Sequence, residues 1–494
     1  MSESETLSPD PRDVLREGEA GPRVIRGAAM RAFGYLAGVL LMAAASVFLL
    51  RYLGVVDFGR YATVMSLIAI VSGITDAGLT AVANRELALR GRAERGVLMR
   101  NLIALRLVVT PIGVLGAVVF ALVAGYGATL VYGTALAGVG LLLANTQATM
   151  ALPLSAELRI GALTAAELLK QAVLVGGIVI LVVGGASLLG FFALQIVAGA
   201  AVLAVTPLLL RGSFVWRPAF NAPQWRSLVL EALPIGAGFA LNVVYFRTLV
   251  IMMSLIATGR ETGLFATSFR IFEIFFGLAG VVLPVAMPVL AAARSSGARL
   301  RYVSQRLTEV GVAVAVFLAL VLAILAEPVL EVLGGDEYRD AAPVLRIQAL
   351  ALVPVFLGQA WQLSLIAIRK QSALLLANGA ALMVVLGLGL ILIPPYASIG
   401  AAVAALAAET VLALVLFVVL VRAEERLRPS LRFVWKPAAA AGIAALAVLV
   451  PGLPLVAAGI LAAVVYTLVA WRIRAVPSEV VDVLRPRVAL RRSV

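Results

Sequence analysis

About fourteen long apolar stretches follow one another between Met30 and Arg472, and no gap between them is long enough for a soluble domain. A helix needs roughly 20 apolar residues to cross about 30 Å of hydrocarbon, and each stretch meets that requirement. Hydrophobic residues make up 62% of the chain, and the mean hydropathy is +1.06. The pattern predicts an all-α polytopic membrane protein with about 14 transmembrane helices.

The composition excludes several kinds of chemistry. The 494 residues contain no cysteine and no histidine, which excludes disulfides, thiolate nucleophiles, imidazole proton relays and ordinary zinc sites. We therefore expect no metal and no cofactor, and any coupling to H⁺ or Na⁺ must use carboxylates. The net charge of +14 does not indicate a nucleic-acid partner, because the basic residues follow the membrane topology described next.

The connections between the apolar stretches alternate in charge. Basic residues concentrate in the two tails and in every second connection, whereas the other connections hold only Arg51, Arg60, Arg260 and Arg339. Positive residues favour the cytoplasmic side of a membrane. The alternation predicts a multi-pass protein of the cytoplasmic membrane with both termini in the cytoplasm.

A weak internal repeat relates the two halves of the chain. At a separation of 204 residues, Gly59, Ala62, Thr63, Ile70, Gly73 and Leu79 align with Gly263, Ala266, Thr267, Ile274, Gly277 and Leu283. Six spans separate the two segments, so both halves have the same orientation. Parallel repeats of this kind place a cavity at their interface and allow alternating access. The repeat predicts two six-helix lobes followed by a helix pair.

These patterns divide the chain into six parts. They are a disordered cytoplasmic tail (1–26), an N-terminal lobe of helices 1–6 (27–210), an interfacial linker (211–232), a C-terminal lobe of helices 7–12 (233–422), helices 13–14 (437–472) and a second cytoplasmic tail (473–494).

Several segments, in the same order along the chain, resemble a known superfamily of exporters. They are RYLGVVDFGRYATV, TDAGLTAVANRELA, GLFATSFRIFEIFFGLAGVVLPVAMPVLA, GGDEYRDAAPVLRIQAL and IPPYASIGAAVAALAAET. They are similar to segments of the polysaccharide-type flippases of the multidrug/oligosaccharidyl-lipid/polysaccharide (MOP) exporter superfamily. The resemblance implies a MATE-like, V-shaped bundle that moves lipid-linked glycans to the outer leaflet. Members often carry an aspartate midway along the seventh span, near Leu249 here, so a cation site that needs that acid is not expected.

Ionisable residues inside the hydrocarbon cost on the order of 3 kcal/mol each, so each needs a partner or a wet cavity. Two pairs, Glu167 with Lys170 and Arg270 with Glu273, are spaced i,i+3 and share a helix face. Each pair has a structural alternative, an ion pair within its own helix. The remaining candidates are Asp76, Arg106, Arg247, Arg346 and Glu409, of which Arg106 and Arg346 lie near helix ends and can extend to the membrane surface.

The two deepest arginines are the strongest candidates for a binding site. Arg247 and Arg270 lie at comparable depth on adjacent antiparallel spans. Two guanidiniums repel each other unless an anion joins them, and a pyrophosphate can accept two parallel hydrogen bonds from each guanidinium. We expect Arg270, Arg247, Glu273 and Lys170 to bind substrate, and we expect no catalytic residue.

Asp76 is the best candidate for ion coupling. It lies in the second span between Gly73 and Gly78, where close helix approach would shield it from lipid. Its alternative role is a helix cap at the cytoplasmic end of that span.

The leading hypothesis is a flippase for polyprenyl-pyrophosphate-linked oligosaccharide that serves the export of a cell-surface polysaccharide. Its expected partners are the lipid-linked glycan, membrane lipids, and a glycan polymerase and glycosyltransferases of the same pathway. Two alternatives stay open. A MATE-type cation or drug antiporter would need an excess of acidic cavity residues, and a membrane glycan-assembly enzyme would need a large external loop with acids.

The topology can be tested with reporter fusions. A fusion after Val494 should report a cytoplasmic location, and one between Asp336 and Asp340 should report an external location, because the basic connections stay inside. An external signal from the C-terminal fusion would refute the orientation.

Overall fold

The computed structural model describes residues 20–157, 159–210, 217–283, 287–293 and 297–475, and all regular elements among these residues are helices. Both predicted tails lie mostly outside this part, although the first helix already begins at Ala20. We number the α-helices in chain order: α1 Ala20–Asp76, α2 Leu79–Leu89, α3 Arg92–Val123, α4 Ala128–Met150, α5 Leu152–Ala156, α6 Ile160–Val183, α7 Leu188–Leu210, α8 Ala222–Ile256, α9 Gly259–Val282, α10 Met287–Ala293, α11 Gly297–Ile324, α12 Ala326–Gly334, α13 Ala342–Ala367, α14 Ser372–Ala423, α15 Trp435–Ala445 and α16 Leu455–Arg472.

The helices account for the fourteen predicted spans. Within the described residues, 11 helical stretches are long and apolar enough to cross a membrane, and the shorter apolar stretch Trp435–Leu449 adds one more. Two of the long stretches supply two spans each, because α1 turns at Gly54 (φ 68°) and α14 turns at Ala397 (φ 46°). The prediction of an all-α fold with about 14 spans is confirmed.

The helices pack as two groups. In the N-terminal lobe, α4 packs against α7 and α3, and α6 packs against α7 and α1. In the C-terminal lobe, α13 packs against α14 and α11, and α14 packs against α8. The last two helices pack on the outside of α11, where the Tyr466 hydroxyl donates to the carbonyl of Ala313 over 2.7 Å.

The second half of the predicted interfacial linker belongs to helix α8. Residues 211–216 lie outside the described residues, and from Ala222 the chain already forms the first turns of α8. The Asn221 side chain starts this helix by accepting a hydrogen bond from the Gln224 amide at 3.3 Å, which satisfies one of the free amides of the first turn. Helix α8 therefore begins about three turns before its apolar, membrane-spanning part, which starts at Gly236.

The two lobes touch at the end that is predicted to be external. Gly59 of α1 and Gly263 of α9, the first aligned pair of the internal repeat, lie against each other there. A β-carbon at Gly59 would lie 2.8 Å from the Gly263 nitrogen, and one at Gly263 would overlap the carbonyl of Val55. Only glycine permits this approach. The buried Tyr338 adds a hydrogen bond across the contact, from its hydroxyl to the Leu50 carbonyl at 2.9 Å.

A second contact joins the lobes at the opposite end, which is predicted to be cytoplasmic. The chain breaks between α1 and α2 at Ala77 (φ 29°) and Gly78 (φ 82°), and this break packs on Gly236 of α8. A β-carbon at Gly78 would lie 2.8 Å from the Gly236 α-carbon. Arg85 of α2 also forms an ion pair with Glu231 of α8. The lobes therefore meet at both ends of the space between them.

The outer glycine contact can be tested by adding bulk to it. In the cysteine-free chain, a Ser66→Cys probe in the buried space between the lobes should react slowly with an impermeant thiol reagent added outside. Gly263→Val should speed this labelling at least about fivefold, because overpacking a closed contact costs about 1–3 kcal/mol.

Gly280→Val is the matched control on the same helix, since a β-carbon at Gly280 meets nothing within 4 Å. Equal labelling rates in the two valine variants would contradict the assignment of an outer contact at Gly263.

Candidate functional site

A cavity of about 410 Å³ lies between the two lobes. Most of its lining comes from the N-terminal lobe, from α1, α4, α6 and α7, and the remainder comes from α8 and α9. The four predicted substrate residues, Lys170, Arg247, Arg270 and Glu273, all line this cavity. The structure therefore brings together residues from three helices that are separated by up to about 100 positions in the sequence.

The wall formed by α8 and α9 carries three charges. The Glu273 carboxylate binds both arginines, with one oxygen 2.5 Å from an Arg247 guanidinium nitrogen and the other 3.5 Å from one of Arg270. The Arg247 guanidinium also lies 5.8 Å from the Phe246 ring centroid and 5.9 Å from that of Phe269, where aromatic faces attract cations. Arg247 thus has a fixed position.

Glu273 supplies the anion that joins the two arginines. From the sequence, two neighbouring guanidiniums need an anion between them, and a bound ligand is the anion that we expect there. In the structure the joining anion is the protein's own carboxylate. Each guanidinium has five N–H donors, and Glu273 engages only one nitrogen of each. Most donors therefore stay available to a ligand.

The opposite wall carries one cation. Lys170 of α6 has no hydrogen bond or ion pair among the described residues. The structural alternative, an ion pair with Glu167 in its own helix, does not form, and Glu167 accepts a hydrogen bond from the Gln171 side-chain amide at 3.1 Å. A lysine that lines a cavity without a counterion is available to bind an anion. With three cations and one carboxylate, the lining has two positive charges in excess.

Asp76 lies elsewhere. It does not line the cavity and forms an ion pair with Arg106 of α3. Thr80 also donates to the same carboxylate oxygen at 2.5 Å, and Arg106 donates to the Thr75 carbonyl at 2.9 Å. This cluster stabilises the chain at the break between α1 and α2. Arg106 pairs with the Thr75 carbonyl that the broken helix leaves free, and its positive charge offsets the partial negative charge at the C-terminal end of α1.

Arg106 was expected to extend to the membrane surface, and this expectation is wrong. Its side chain is only 6% exposed and points inward to Asp76, because the broken helix offers it both a carboxylate and a carbonyl. Arg346 does lie near the end of its helix, on the side that is predicted to be external, where it binds Glu327 at 2.8 Å.

Glu409 is the only carboxylate among the described residues that is buried, at 4% exposure. It lies on the second arm of α14 inside the C-terminal lobe and accepts a hydrogen bond from the Tyr245 hydroxyl at 2.9 Å. No basic residue of the described part pairs with it. Tyr245 lies two residues before Arg247, so α8 links this carboxylate to the cavity.

Sequence reasoning missed the uncharged polar residues of the cavity. Tyr61, Gln171 and Gln195 line it. An uncharged polar side chain costs less free energy inside a membrane than a charged one, so its position in an apolar span does not by itself indicate a site. The available signal was an amide side chain within each of two strongly apolar spans, the fifth and the sixth. Within the described residues no group of three or more carboxylates has the arrangement of a metal site.

Comparison with known proteins identifies the family. A family model described as "Polysaccharide biosynthesis protein" matches residues 48–343, which is more than half of the chain. The chain belongs to this family of polysaccharide biosynthesis proteins. No curated protein sequence matches it.

Solved structures show the fold. A structure of the lipid II flippase MurJ in an inward closed conformation matches with a TM-score of 0.75 at 12% identity, over 90% of this chain and 99% of that one. An inward-facing multidrug MATE transporter of the MOP superfamily matches with a TM-score of 0.64 at 14% identity, over 81% and 99%. A Pyrococcus furiosus MOP transporter, whose binding pocket is described as having reverse polarity, matches with a TM-score of 0.58 at 16% identity, over 86% and 100%. This polysaccharide biosynthesis protein therefore has the MurJ/MATE-like fold of multi-pass MOP transporters, as the sequence resemblance implied.

Proposed function

We propose that this protein is a flippase that moves polyprenyl-diphosphate-linked oligosaccharide across the cytoplasmic membrane by alternating access. The family and the fold are those of transporters rather than enzymes. The observation that carries the proposal is the charge of the cavity, where Arg247, Arg270 and Lys170 surround a single carboxylate.

The charge and the geometry suit a diphosphate. A diphosphate esterified at both ends has one negative charge on each phosphate, and the cavity lining has two positive charges in excess. Guanidinium forks bind phosphate oxygens through pairs of parallel hydrogen bonds, and such charge-assisted bonds are about twice as strong as neutral ones. Lys170 adds a point charge from the opposite lobe.

Glu273 prepares the arginines for this ligand. Without an anion between them, two guanidiniums would repel each other in surroundings where charges are poorly screened. The carboxylate holds Arg247 and Arg270 at the cavity wall before substrate arrives, so less ordering is needed on binding.

The cavity argues against the antiporter alternative. A cationic drug would meet three basic residues and one carboxylate that two arginines already engage. Like charges in a confined cavity cost several kcal/mol. A MATE-like fold is compatible with either cargo, and the sign of the cavity charge favours an anionic one.

The two contacts between the lobes support the alternating-access part of the proposal. The outer contact at Gly59 and Gly263 and the inner contact at Gly78 and Gly236 close the cavity from opposite ends. Transport requires that one contact opens while the other stays closed, which is the rocking motion of parallel repeats.

The arginines can be tested by substitution. In reconstituted vesicles, Arg247→Ala and Arg270→Ala should each reduce binding and flipping of lipid-linked oligosaccharide about ten- to hundredfold, since each loses a charge-assisted contact of roughly 1.5–3 kcal/mol. Arg270→Lys should recover only part of this, because an ammonium lacks the fork. Arg346→Ala, at an arginine that pairs outside the cavity, is the matched control.

A purely structural role predicts a different result. If Arg270 served only to neutralise Glu273, the double variant Arg270→Ala/Glu273→Ala would flip substrate nearly normally while each single variant is impaired. Restored activity in that double variant would refute substrate contact by Arg270.

Coupling to an ion is a further part of the proposal. Asp76 and Glu409 are the two candidate carboxylates, and they differ in their partners. Asp76 already has a cation, Arg106. An ionised Glu409 would have no counterion, at a cost on the order of 3 kcal/mol near the membrane centre, so a bound proton stabilises it. Because Tyr245 lies two residues before Arg247 on α8, a shift of this helix on protonation of Glu409 would also move the cavity wall.

Gradient-driven flipping distinguishes the two carboxylates. With an imposed pH gradient, Glu409→Gln should lose the acceleration that the gradient gives the wild-type protein, because an amide cannot exchange the proton. Asp76→Asn should keep this acceleration, apart from reduced stability. Loss of acceleration in Asp76→Asn with a normal response in Glu409→Gln would return the coupling role to Asp76.

A further inference from the structure

The two walls of the cavity differ in chemistry. The C-terminal lobe contributes the charged group Arg247, Arg270 and Glu273, whereas the larger N-terminal wall is mostly apolar and contributes Lys170 and six uncharged hydrogen-bonding side chains. These are Ser46, Ser66, Ser72, Tyr61, Gln171 and Gln195. A surface of hydroxyls and amides suits a neutral ligand that carries many hydroxyl groups, rather than a second anion.

Gln171 has unused hydrogen-bonding capacity. It lies on α6 next to Lys170, and its side chain packs 3.6 Å from the position of a β-carbon at Gly38. Its amide nitrogen donates to Glu167 at 3.1 Å, while its carbonyl oxygen is buried without a partner in the described part of the chain. Buried polar atoms are rarely left unpaired, because each costs about 1–3 kcal/mol. This oxygen is enclosed by its neighbours, so a ligand with hydroxyl or amide donors would pair with it once the Gln171 side chain turns toward the cavity that it lines.

Gln195 is held in place by close helix packing. The α4 and α7 backbones approach so closely at Gly140 that a β-carbon there would lie 2.6 Å from the Gln195 β-carbon. The side chain lies beside Tyr61, whose ring stacks on Phe192 with centroids 5.7 Å apart. Phe58 and Phe269 also line the cavity. Aromatic faces with a few placed polar groups are the usual composition of a specific small-molecule site.

The size of the cavity limits what it can enclose. Its volume of about 410 Å³ lies at the low end of the roughly 300–1,000 Å³ of small-molecule pockets. A diphosphate against the arginines leaves room for the adjoining part of the ligand, and a chain of several sugars does not fit. The part of the ligand next to the diphosphate is the part that reaches the amide wall.

We infer that Gln171, Gln195 and Tyr61 form a binding site for the sugar attached directly to the diphosphate, so that this protein selects its substrate by the first sugar and not by the far end of the glycan. The inference rests on the proposed flippase function. The diphosphate binds mainly the C-terminal lobe, with Lys170 as its one contact on the N-terminal lobe, and the first sugar adds further contacts to the N-terminal lobe, so a ligand with both parts bridges the lobes more firmly. Such a ligand favours the closed arrangement more than either part alone.

Binding to the purified full-length protein in detergent tests this site with defined probes. The probes are undecaprenyl diphosphate without sugar and its conjugates with glucose, galactose or N-acetylglucosamine. Wild-type protein should bind at least one conjugate more tightly than the sugar-free lipid. Gln171→Met and Gln195→Met keep the side-chain length but lose the hydrogen bonds. Each should reduce the preference for that conjugate about five- to tenfold and leave the affinity for the sugar-free lipid unchanged.

Two further variants separate the possible outcomes. Gln147→Met is the matched control, because this amide bonds Thr206 and does not line the cavity, and it should keep the wild-type preference. Arg247→Ala should weaken binding of all four probes. An unchanged preference in both cavity variants, or a wild-type protein that binds the sugar-free lipid as tightly as every conjugate, overturns the first-sugar site alone. Failure of the wild-type protein to bind any diphosphate overturns the proposed function, and the first-sugar site with it.

Discussion

The shared carboxylate of Glu273 is the interaction on which the cavity depends. It holds two guanidiniums from adjacent helices at one wall, inside a membrane protein where a single unpaired charge is costly. One carboxylate cannot neutralise two arginines, so the wall stays positive. That residual charge, together with Lys170 across the cavity, is the basis of the proposed function, because it favours an anionic cargo over a cationic one.

The lobes touch at both ends of the cavity. Glycines that face each other allow the backbones to meet at Gly59 and Gly263 and again at Gly78 and Gly236. Side chains also pack between the lobes, as Val243 of α8 does against Gly73 of α1. The aligned glycines of the internal repeat form the outer contact, as expected for two halves related by an axis along the membrane normal.

Much of the fold and part of the site were predictable from the sequence, because the hydrocarbon core of a membrane restricts the length of helices and the placement of charges. Span length and loop charge indicated the helices, and charge depth indicated that Arg247 and Arg270 lie near each other. Side-chain pairing was harder to predict. Glu167 pairs with Gln171, four residues away, and not with Lys170, three residues away, and sequence spacing alone does not distinguish these two partners. Arg106 turns inward to Asp76 because the helix break places a carboxylate and a free carbonyl beside it. The amides of the cavity gave almost no signal, because an uncharged polar residue is tolerated in many helices.

A structure determined by electron cryo-microscopy with bound polyprenyl-diphosphate oligosaccharide tests the account most directly. The account predicts density for the diphosphate within hydrogen-bonding distance of the Arg247 and Arg270 guanidiniums, with Lys170 approaching from the other lobe. Density for the diphosphate away from this cavity, with Glu273 still the only anion at the two arginines, would contradict it.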